Sequence, residues 1–122
     1  MSNPLDLSAT PTGREGRRLL ESATTFLFVP GDRPERFEKA LRSDADVVVI
    51  DWEASVIASR KEVARQNTIS FLKQADGRKI AIRLNPYSGR DFLEDAAALW
   101  AFHKSIAGAL LTMVSKADEV SC

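Results

Sequence analysis

Two carboxylates directly follow the most apolar stretch of this 122-residue chain, and they are the first candidates for chemistry. Residues 46–50, Asp-Val-Val-Val-Ile, carry consecutive β-branched side chains, which is typical of a strand buried on both faces of a parallel sheet. Asp51 and Glu53 stand at its end. Acidic groups are costly to bury without a partner, and ligands bind at the carboxyl ends of parallel strands. We therefore expect any chemistry near Asp51 and Glu53.

An arginine inside a second apolar segment is the least common feature of the sequence. Arg83 lies within residues 79–85, a predicted strand that ends at Asn85. A guanidinium in such a strand must face a carboxylate, a phosphate or water. One converging arrangement places Arg83 opposite Asp51 or Glu53 across neighbouring strand ends. The residue types alone favour a structural salt bridge and a functional site about equally.

The first predicted strand ends in a polar turn made of Pro30, Gly31, Asp32 and Arg33. A tight strand-to-helix turn with Asp32 as the N-cap explains these residue types, and Pro34 suits the first turn of the helix that follows. The backbone N–H groups at such a helix start could also bind an anion. The turn is therefore a candidate anion site, with the structural explanation left open beside it.

The composition excludes several classes of function. The net charge is zero, so the electrostatics favour neither nucleic acid nor an acidic membrane surface. No apolar segment approaches the ~20 residues of a membrane span, and the single cysteine, Cys122, fits a reducing cytoplasm. The sequence has no metal-spaced Cys/His cluster, serine elbow or P-loop. Its one histidine, His103, lies on the apolar side of a predicted helix, where a packing role is usual.

Strands and helices alternate along the chain. Strands are predicted over residues 25–29, 46–52, 79–85 and 109–114, with helices between them and residues 1–24 as a flexible leader. Ser59 and Glu62 have the spacing of a capping box, and Trp52 and Trp100 are predicted core residues. The alternation predicts an α/β fold with a parallel sheet. That sheet is either open and doubly wound or part of a (β/α)8 barrel cut near its middle.

Several segments in unbroken order resemble citrate lyase beta subunit-like proteins of the HpcH/HpaI aldolase superfamily. These segments are residues 26–41, 46–56, 82–86 and 109–120, together with Lys61, Ala64 and Arg65. Residues 82–86, Ile-Arg-Leu-Asn-Pro, are similar to the end of that family's third strand, whereas Thr112 stands where a proline is usual. Several ordered motifs at the right intervals make the resemblance specific.

The resemblance implies that residues 25–122 form the first half of a TIM (β/α)8 barrel, about four strands. It also implies a carbon–carbon lyase acting on β-hydroxyacyl thioesters such as citryl- or malyl-coenzyme A, with a 2-oxo acid as one product. Arg83 aligns with the family's substrate-binding arginine, and Asn85 and the turn at residues 30–33 are expected beside it. Glu53 and Asp51 are the expected catalytic carboxylates. A Glu and an Asp on later strands, outside this chain, would hold Mg²⁺.

Two departures from the family keep alternatives open. Ala54 stands where the family usually has an aspartate, so an inactive remnant or an assembly module of the same fold is one alternative. Half a barrel would leave its first and fourth strands as unpaired edges, which predicts a homo-oligomer. A receiver-like signalling domain phosphorylated on Asp51 is the third possibility, although its acidic pair and lysine strand are missing from the sequence.

Overall fold

The four strands form one parallel sheet whose spatial order follows the chain. The structure is a computed structural model that describes residues 11–111. Its strands are β1 (Phe26–Pro30), β2 (Val47–Asp51), β3 (Ile80–Leu84) and β4 (Gly108–Leu111), in the order β1-β2-β3-β4. The predicted parallel α/β sheet is confirmed. Doubly wound sheets reverse their strand order at a switch point, so this consecutive order disfavours the open-sheet and receiver alternatives.

Three of the four helices cover the same face of the sheet. The helices are α1 (Pro11–Ser22), α2 (Phe37–Leu41), α3 (Lys61–Leu72) and α4 (Asp91–Trp100), with 3-10 turns at Pro34–Arg36, Ala58–Arg60 and His103–Ser105. The main core joins alternate strand residues such as Val48, Ile50 and Ile82 to side chains of α2, α3 and α4. Alternate side chains of a strand point to opposite faces. The intervening residues of each strand therefore face the other side.

The opposite face of the sheet is covered by α1 near the start of the strands. Val47, Val49 and Ala81 form a second core cluster. The side chains that pack against this cluster are Leu19, Leu20, Ala23 and Leu110. Every residue of β2 is buried, which explains why its sequence is apolar without alternation. Toward the carboxyl ends of the strands this second face carries Asp51 and Arg83.

Helix α1 differs from the flexible leader that the sequence suggested for residues 1–24. Residues 11–22 are helical, while residues 1–10 lie outside the described part of the chain. Gly16 suggested loose structure because glycine disfavours helices. In the fold, the absence of a side chain at Gly16 allows close packing, because an added Cβ would overlap the backbone carbonyl of Ala107. Glycine therefore allows α1 to lie directly on the segment that enters β4.

Several local expectations also differ from the structure. Neither Asp32 nor Ser59 makes a side-chain cap hydrogen bond, and Glu62 accepts instead from Arg65 and Gln66 within α3. Trp52 is fully buried as predicted, but Trp100 is 67% exposed. Part of the predicted fourth strand, from residue 112 onward, lies outside the described residues. Within residues 11–111, no helix is both long enough and apolar enough to cross a membrane.

Replacing Gly16 by alanine tests the docking of α1. Alanine favours an isolated helix over glycine by about 1 kcal/mol, so an undocked helix would gain stability. We expect Gly16→Ala to lower the free energy of unfolding instead, by about 1–3 kcal/mol, because the new methyl group meets the Ala107 carbonyl. Urea denaturation measures the difference. Gly89→Ala is the control, since its Cβ would approach only the Pro86 carbonyl oxygen, at 3.4 Å. A stabilised Gly16→Ala variant would contradict the docked position of α1.

Candidate functional site

The centre of the candidate site is an ion pair between the ends of β2 and β3. Asp51 and Arg83 are direct partners in the parallel register, so their side chains leave the sheet on the same face. Arg83 Nε donates to Asp51 Oδ1 and Arg83 Nη2 donates to Asp51 Oδ2, both at 2.9 Å. This two-bond geometry is the strongest form of an arginine–carboxylate contact. The expectation that Arg83 faces Asp51 or Glu53 is confirmed, and Asp51 is its direct hydrogen-bond partner.

Asp51 is buried, and both of its carboxylate oxygens accept hydrogen bonds. Only 1% of the residue is exposed, and it also accepts the N–H of Glu53, the N–H of Ser55 and the Ser55 hydroxyl at 2.9, 2.9 and 2.6 Å. Burial alone would raise the pKa of Asp51. The hydrogen bonds from Arg83, Ser55 and the two N–H groups outweigh burial and hold that pKa well below its usual range. Asp51 is therefore a permanent anion that anchors Arg83, which makes it unsuited to accept a proton near neutral pH.

Arg83 presents its guanidinium to a small pocket. Its Cζ atom lies 5.0 Å from the centre of the Phe28 ring, within the range of a cation–π contact. The Glu53 Oε1 atom lies 3.6 Å from Arg83 Nε. The hydrogen bonds to Asp51, against the opposing effect of burial, raise the pKa of Arg83, which keeps it charged. The cavity beside it measures about 390 Å³, and its lining residues are Phe28, Pro30, Asp51, Ser55 and Arg83.

The turn after β1 packs tightly between the end of β2 and helix α3. The Gly31 N–H donates to the Asp51 carbonyl at 2.8 Å, and the Gly31 carbonyl accepts from Asn67 Nδ2 at 3.1 Å. A Cβ on Gly31 would lie 2.8 Å from the Cβ of Ala64 and 2.9 Å from a ring carbon of Trp52. Only glycine fits this gap, and the fit holds Pro30 at the pocket wall.

The other two residues of the turn do not line the pocket. Asp32 Oδ2 lies 3.6 Å from Arg60 Nε, which ties the turn to the start of α3. Arg33 is exposed and lies 3.9 Å from Glu35, so its role is that of a surface residue. Of the four turn residues singled out from the sequence, the structure brings only Pro30 into the pocket with Asp51 and Arg83.

Asn85 has a different role from the substrate contact expected of it. It is 4% exposed, and both its N–H and its Nδ2 donate to Asp95 Oδ2, at 2.8 and 2.7 Å. Asp95 Oδ1 accepts from Arg65 Nη1 at 2.7 Å. The side chain of Asn85 is therefore used to tie the end of β3 to α3 and α4. This network fixes the strand two residues after Arg83.

Four residues around the site were not singled out as site residues from the sequence, namely Arg65, Asp95, Ser55 and Lys61. Arg65 lies between Ala64 and Gln66, and Asp95 lies between Glu94 and Ala96, so neither position indicates a buried ion pair in the sequence. Ser55 carried no such signal either. Lys61 appeared only in the family resemblance, yet its Nζ donates to three backbone carbonyls in the turn that carries Glu53.

The described residues do not form a metal site by themselves. Within residues 11–111, no group of three or more His, Cys, Asp or Glu side chains is arranged to hold a metal ion. Asp51 is occupied by Arg83 and Ser55, which leaves Glu53 as the second carboxylate beside the guanidinium. A protein Mg²⁺ site needs oxygen ligands in octahedral geometry. The described part of the pocket does not provide such a ligand set.

Comparison with known protein families identifies one family over most of the chain. The HpcH/HpaI aldolase/citrate lyase family matches residues 24–122. An L-malyl-CoA/beta-methylmalyl-CoA lyase of Cereibacter sphaeroides is 42% identical over 74 residues, which are 56% of this chain and 23% of that protein. A citrate lyase subunit beta-like protein of Mycobacterium tuberculosis is 38% identical over 76 residues, 61% of this chain and 26% of that protein. The chain thus spans about a quarter of the length of these relatives.

Solved structures agree with this relationship. CitE from M. tuberculosis in complex with magnesium, acetoacetate and coenzyme A superposes with a TM-score of 0.57 at 36% identity, covering 65% of this chain and 29% of CitE. The citrate lyase beta subunit complexed with oxaloacetate and magnesium, from the same organism, gives a TM-score of 0.58 at 36% identity over 66% of this chain and 35% of that one. The chain is similar to these proteins in both sequence and fold.

The ion pair predicts how stability depends on pH. Unfolded Asp51 takes up a proton near its ordinary pKa of about 3.9, whereas folded Asp51 stays ionised to lower pH. Its contribution to stability is therefore complete above that value and is lost as the pH falls below it. We expect the free energy of unfolding of the wild-type chain to fall by about 2 kcal/mol more than that of Asp51→Asn between pH ~5 and ~2. Urea denaturation across this range measures both slopes, and equal slopes would contradict the lowered pKa.

The buried network at Asn85 predicts that removing the charge of Asp95 strongly lowers the free energy of unfolding. Asp95→Asn keeps the shape of the side chain but sets an amide against Arg65, leaving that buried guanidinium only the more exposed Glu62 and Asp91 as counter-ions. We expect this variant to lose about 3–5 kcal/mol of unfolding free energy. Asp91→Asn is the matched control on the same helix, because Asp91 lies 3.6 Å from the same Arg65 nitrogen and is partly exposed. Its expected loss is below about 1 kcal/mol. Similar losses in both variants, measured by urea denaturation, would contradict the assignment.

Proposed function

The chain belongs to the HpcH/HpaI aldolase/citrate lyase family, and we propose that it supplies the carboxylate-binding part of a carbon–carbon lyase active site. The observation that carries this proposal is the way Arg83 is held. Asp51 occupies the Nε and Nη2 edge of the guanidinium. Among the described residues, none accepts a hydrogen bond from Nη1. The fork formed by Nη1 and Nη2 therefore offers a geometry that matches the two oxygens of a carboxylate.

The fold supports the same reading. The consecutive parallel strands, with α2, α3 and α4 on one face, are proposed to be the first four strands of a (β/α)8 barrel. In such barrels the active site lies at the carboxyl ends of the strands, where Asp51 and Arg83 are. Each edge strand pairs on one side only within the described residues, and Phe26 and Phe28 of β1 are 41% and 48% exposed. Further strands or a second copy of the chain in a homo-oligomer would cover them.

The proposed reaction is cleavage of a β-hydroxyacyl thioester. A proton leaves the β-hydroxyl, and the oxygen electron pair forms the carbonyl of a 2-oxo acid. The bond between Cα and Cβ breaks, and the thioester enolate takes a proton on carbon to give an acyl thioester. The guanidinium of Arg83 would bind the carboxylate of the 2-oxo acid portion and stabilise negative charge that develops beside it. Citryl- and malyl-coenzyme A are the substrates that the family suggests.

The two carboxylates receive different roles in this proposal. Asp51 is saturated with hydrogen bonds, so it positions Arg83 and does not carry protons. Glu53 lies beside the guanidinium at 3.6 Å and remains the candidate for a direct catalytic role. Magnesium is present in the M. tuberculosis structures, and we place its ligands outside the described residues. When bound it would supply Lewis-acid polarisation of the 2-oxo acid.

A second candidate function is a non-catalytic assembly module of the same fold. Ala54 favours it, because the family usually has an aspartate there and the chain has lost a carboxylate beside Glu53. The two candidate functions predict different ligand binding. A module of this kind would fold and associate with a partner but would bind no 2-oxo acid at Arg83.

Ligand binding by arginine variants tests the proposal. We expect oxaloacetate to bind the folded chain through Arg83 without added Mg²⁺, because the proposed metal ligands lie outside the described residues. Arg83→Met should weaken that binding by at least about tenfold, because a charged partner is lost. Arg83→Lys should also bind weakly, since an ammonium cannot make two parallel bonds to a carboxylate. Isothermal titration calorimetry gives the dissociation constants.

The control variant is Arg78→Met. Arg78 is an exposed arginine that pairs with Asp76 before β3, at the opposite end of the strand from Arg83. It should bind oxaloacetate as the wild type does. A folded wild-type chain that binds no oxaloacetate would favour the assembly module, and equal binding by Arg83→Met would place the ligand elsewhere.

A further inference from the structure

The turn that carries Glu53 lies between a negative and a positive charge. On one side the Asp51 carboxylate accepts the N–H groups of Glu53 and Ser55, each at 2.9 Å. On the other side the Lys61 ammonium donates to the carbonyls of the same turn. The peptide dipoles between residues 52 and 56 are therefore held from both ends by ionised groups.

The contacts of Lys61 use its whole hydrogen-bonding capacity. Its Nζ donates to the carbonyl oxygens of Trp52, Glu53 and Val56 at 3.0, 2.9 and 2.9 Å. An ammonium group has three donors and no acceptor, so each donor has one carbonyl. Hydrogen bonds from a charged donor are stronger than those between neutral groups. Lys61 thus acts as a clamp on the turn.

The hydrogen bonds of Lys61 restrain the backbone of Glu53. The N–H of Glu53 is bound to Asp51, and the carbonyl of Glu53 is bound to Lys61. The backbone of this one residue is therefore restrained on both sides of its Cα. Its carboxylate is thereby kept near Arg83, at 3.6 Å from Nε. Without the clamp the turn would keep its bonds to Asp51, the bond from the Trp52 N–H to the Arg83 carbonyl and the internal bond from the Val56 N–H to the Glu53 carbonyl.

We propose that Lys61 is a positioning residue that sets the backbone of the turn at residues 52–56 and so places Glu53 beside Arg83. This inference rests on the proposed function for its effect on ligand binding. Its effect on the turn itself does not depend on that function. Lys61 acts through backbone carbonyls and needs no contact with a ligand.

The chain contains a matched clamp at the other end of the sheet. Lys79 Nζ donates to the carbonyls of Ser43 and Ala45 at 3.2 and 3.1 Å. Lys79 precedes β3, and it is partly buried, as Lys61 is. Lys79→Met therefore removes a comparable set of hydrogen bonds while leaving the pocket untouched. It controls for general loss of stability.

The test compares Lys61→Met, Lys61→Arg and Lys79→Met in the full chain. Hydrogen exchange is measured over residues 52–56, and oxaloacetate binding is measured by titration calorimetry. We expect Lys61→Met to speed exchange in this turn by about tenfold or more and to weaken oxaloacetate binding by about tenfold. Lys79→Met should leave both unchanged. Lys61→Arg keeps the charge but has a planar fork that cannot reach three carbonyls equally, so it should fall between wild type and Lys61→Met.

The two measurements separate failure of this inference from failure of the proposed function. Unchanged exchange over residues 52–56 in Lys61→Met would overturn the clamp. Faster exchange with unchanged oxaloacetate binding would overturn the link between the clamp and the site while leaving the function intact. A wild-type chain that binds no oxaloacetate would refute the proposed function, and the exchange data would still decide whether Lys61 sets the turn.

Discussion

The ion pair between Asp51 and Arg83 is the interaction on which the rest of the site depends. Placing a guanidinium inside an apolar strand is costly unless its charge and its donors are matched. The parallel register solves this by setting Asp51 directly opposite Arg83. The same carboxylate organises the turn that follows β2 through Ser55 and the N–H of Glu53. One buried anion thus couples two strand ends and one turn.

Separate contacts on the two faces of the sheet restrain Arg83. On the pocket face the guanidinium is fixed by Asp51 and lies over the ring of Phe28. On the helix face the end of β3 is fixed by Asn85, whose side chain and N–H both bind Asp95. Backbone and side chain are therefore restrained by separate networks. In its proposed binding role, Arg83 would lose little further freedom when a ligand arrives, which favours affinity.

The sequence was sufficient to predict features that depend only on residues within the strands. The continuous apolar run of β2 predicted burial on both faces, and the charged residues at neighbouring strand ends predicted the meeting of Asp51 with Arg83. It was insufficient where a residue's role depends on a distant partner. Asn85 looked like a site residue because nothing in the strand shows that Asp95, on α4, accepts both of its donors. The flexible leader predicted for residues 1–24 missed helix α1 because the segment that Gly16 packs against, at Ala107, lies far along the chain.

The choice of arginine at position 83 follows from this geometry. A lysine opposite Asp51 could neutralise the carboxylate, but it would place one compact charge there and offer no second edge. A guanidinium is planar and has two forks. The Nε and Nη2 edge satisfies the buried anion, and the Nη1 and Nη2 edge stays available for a second planar acceptor. The residue that makes the strand ends stable is therefore also the one proposed to bind a carboxylate, so the salt bridge and the proposed binding site share one side chain.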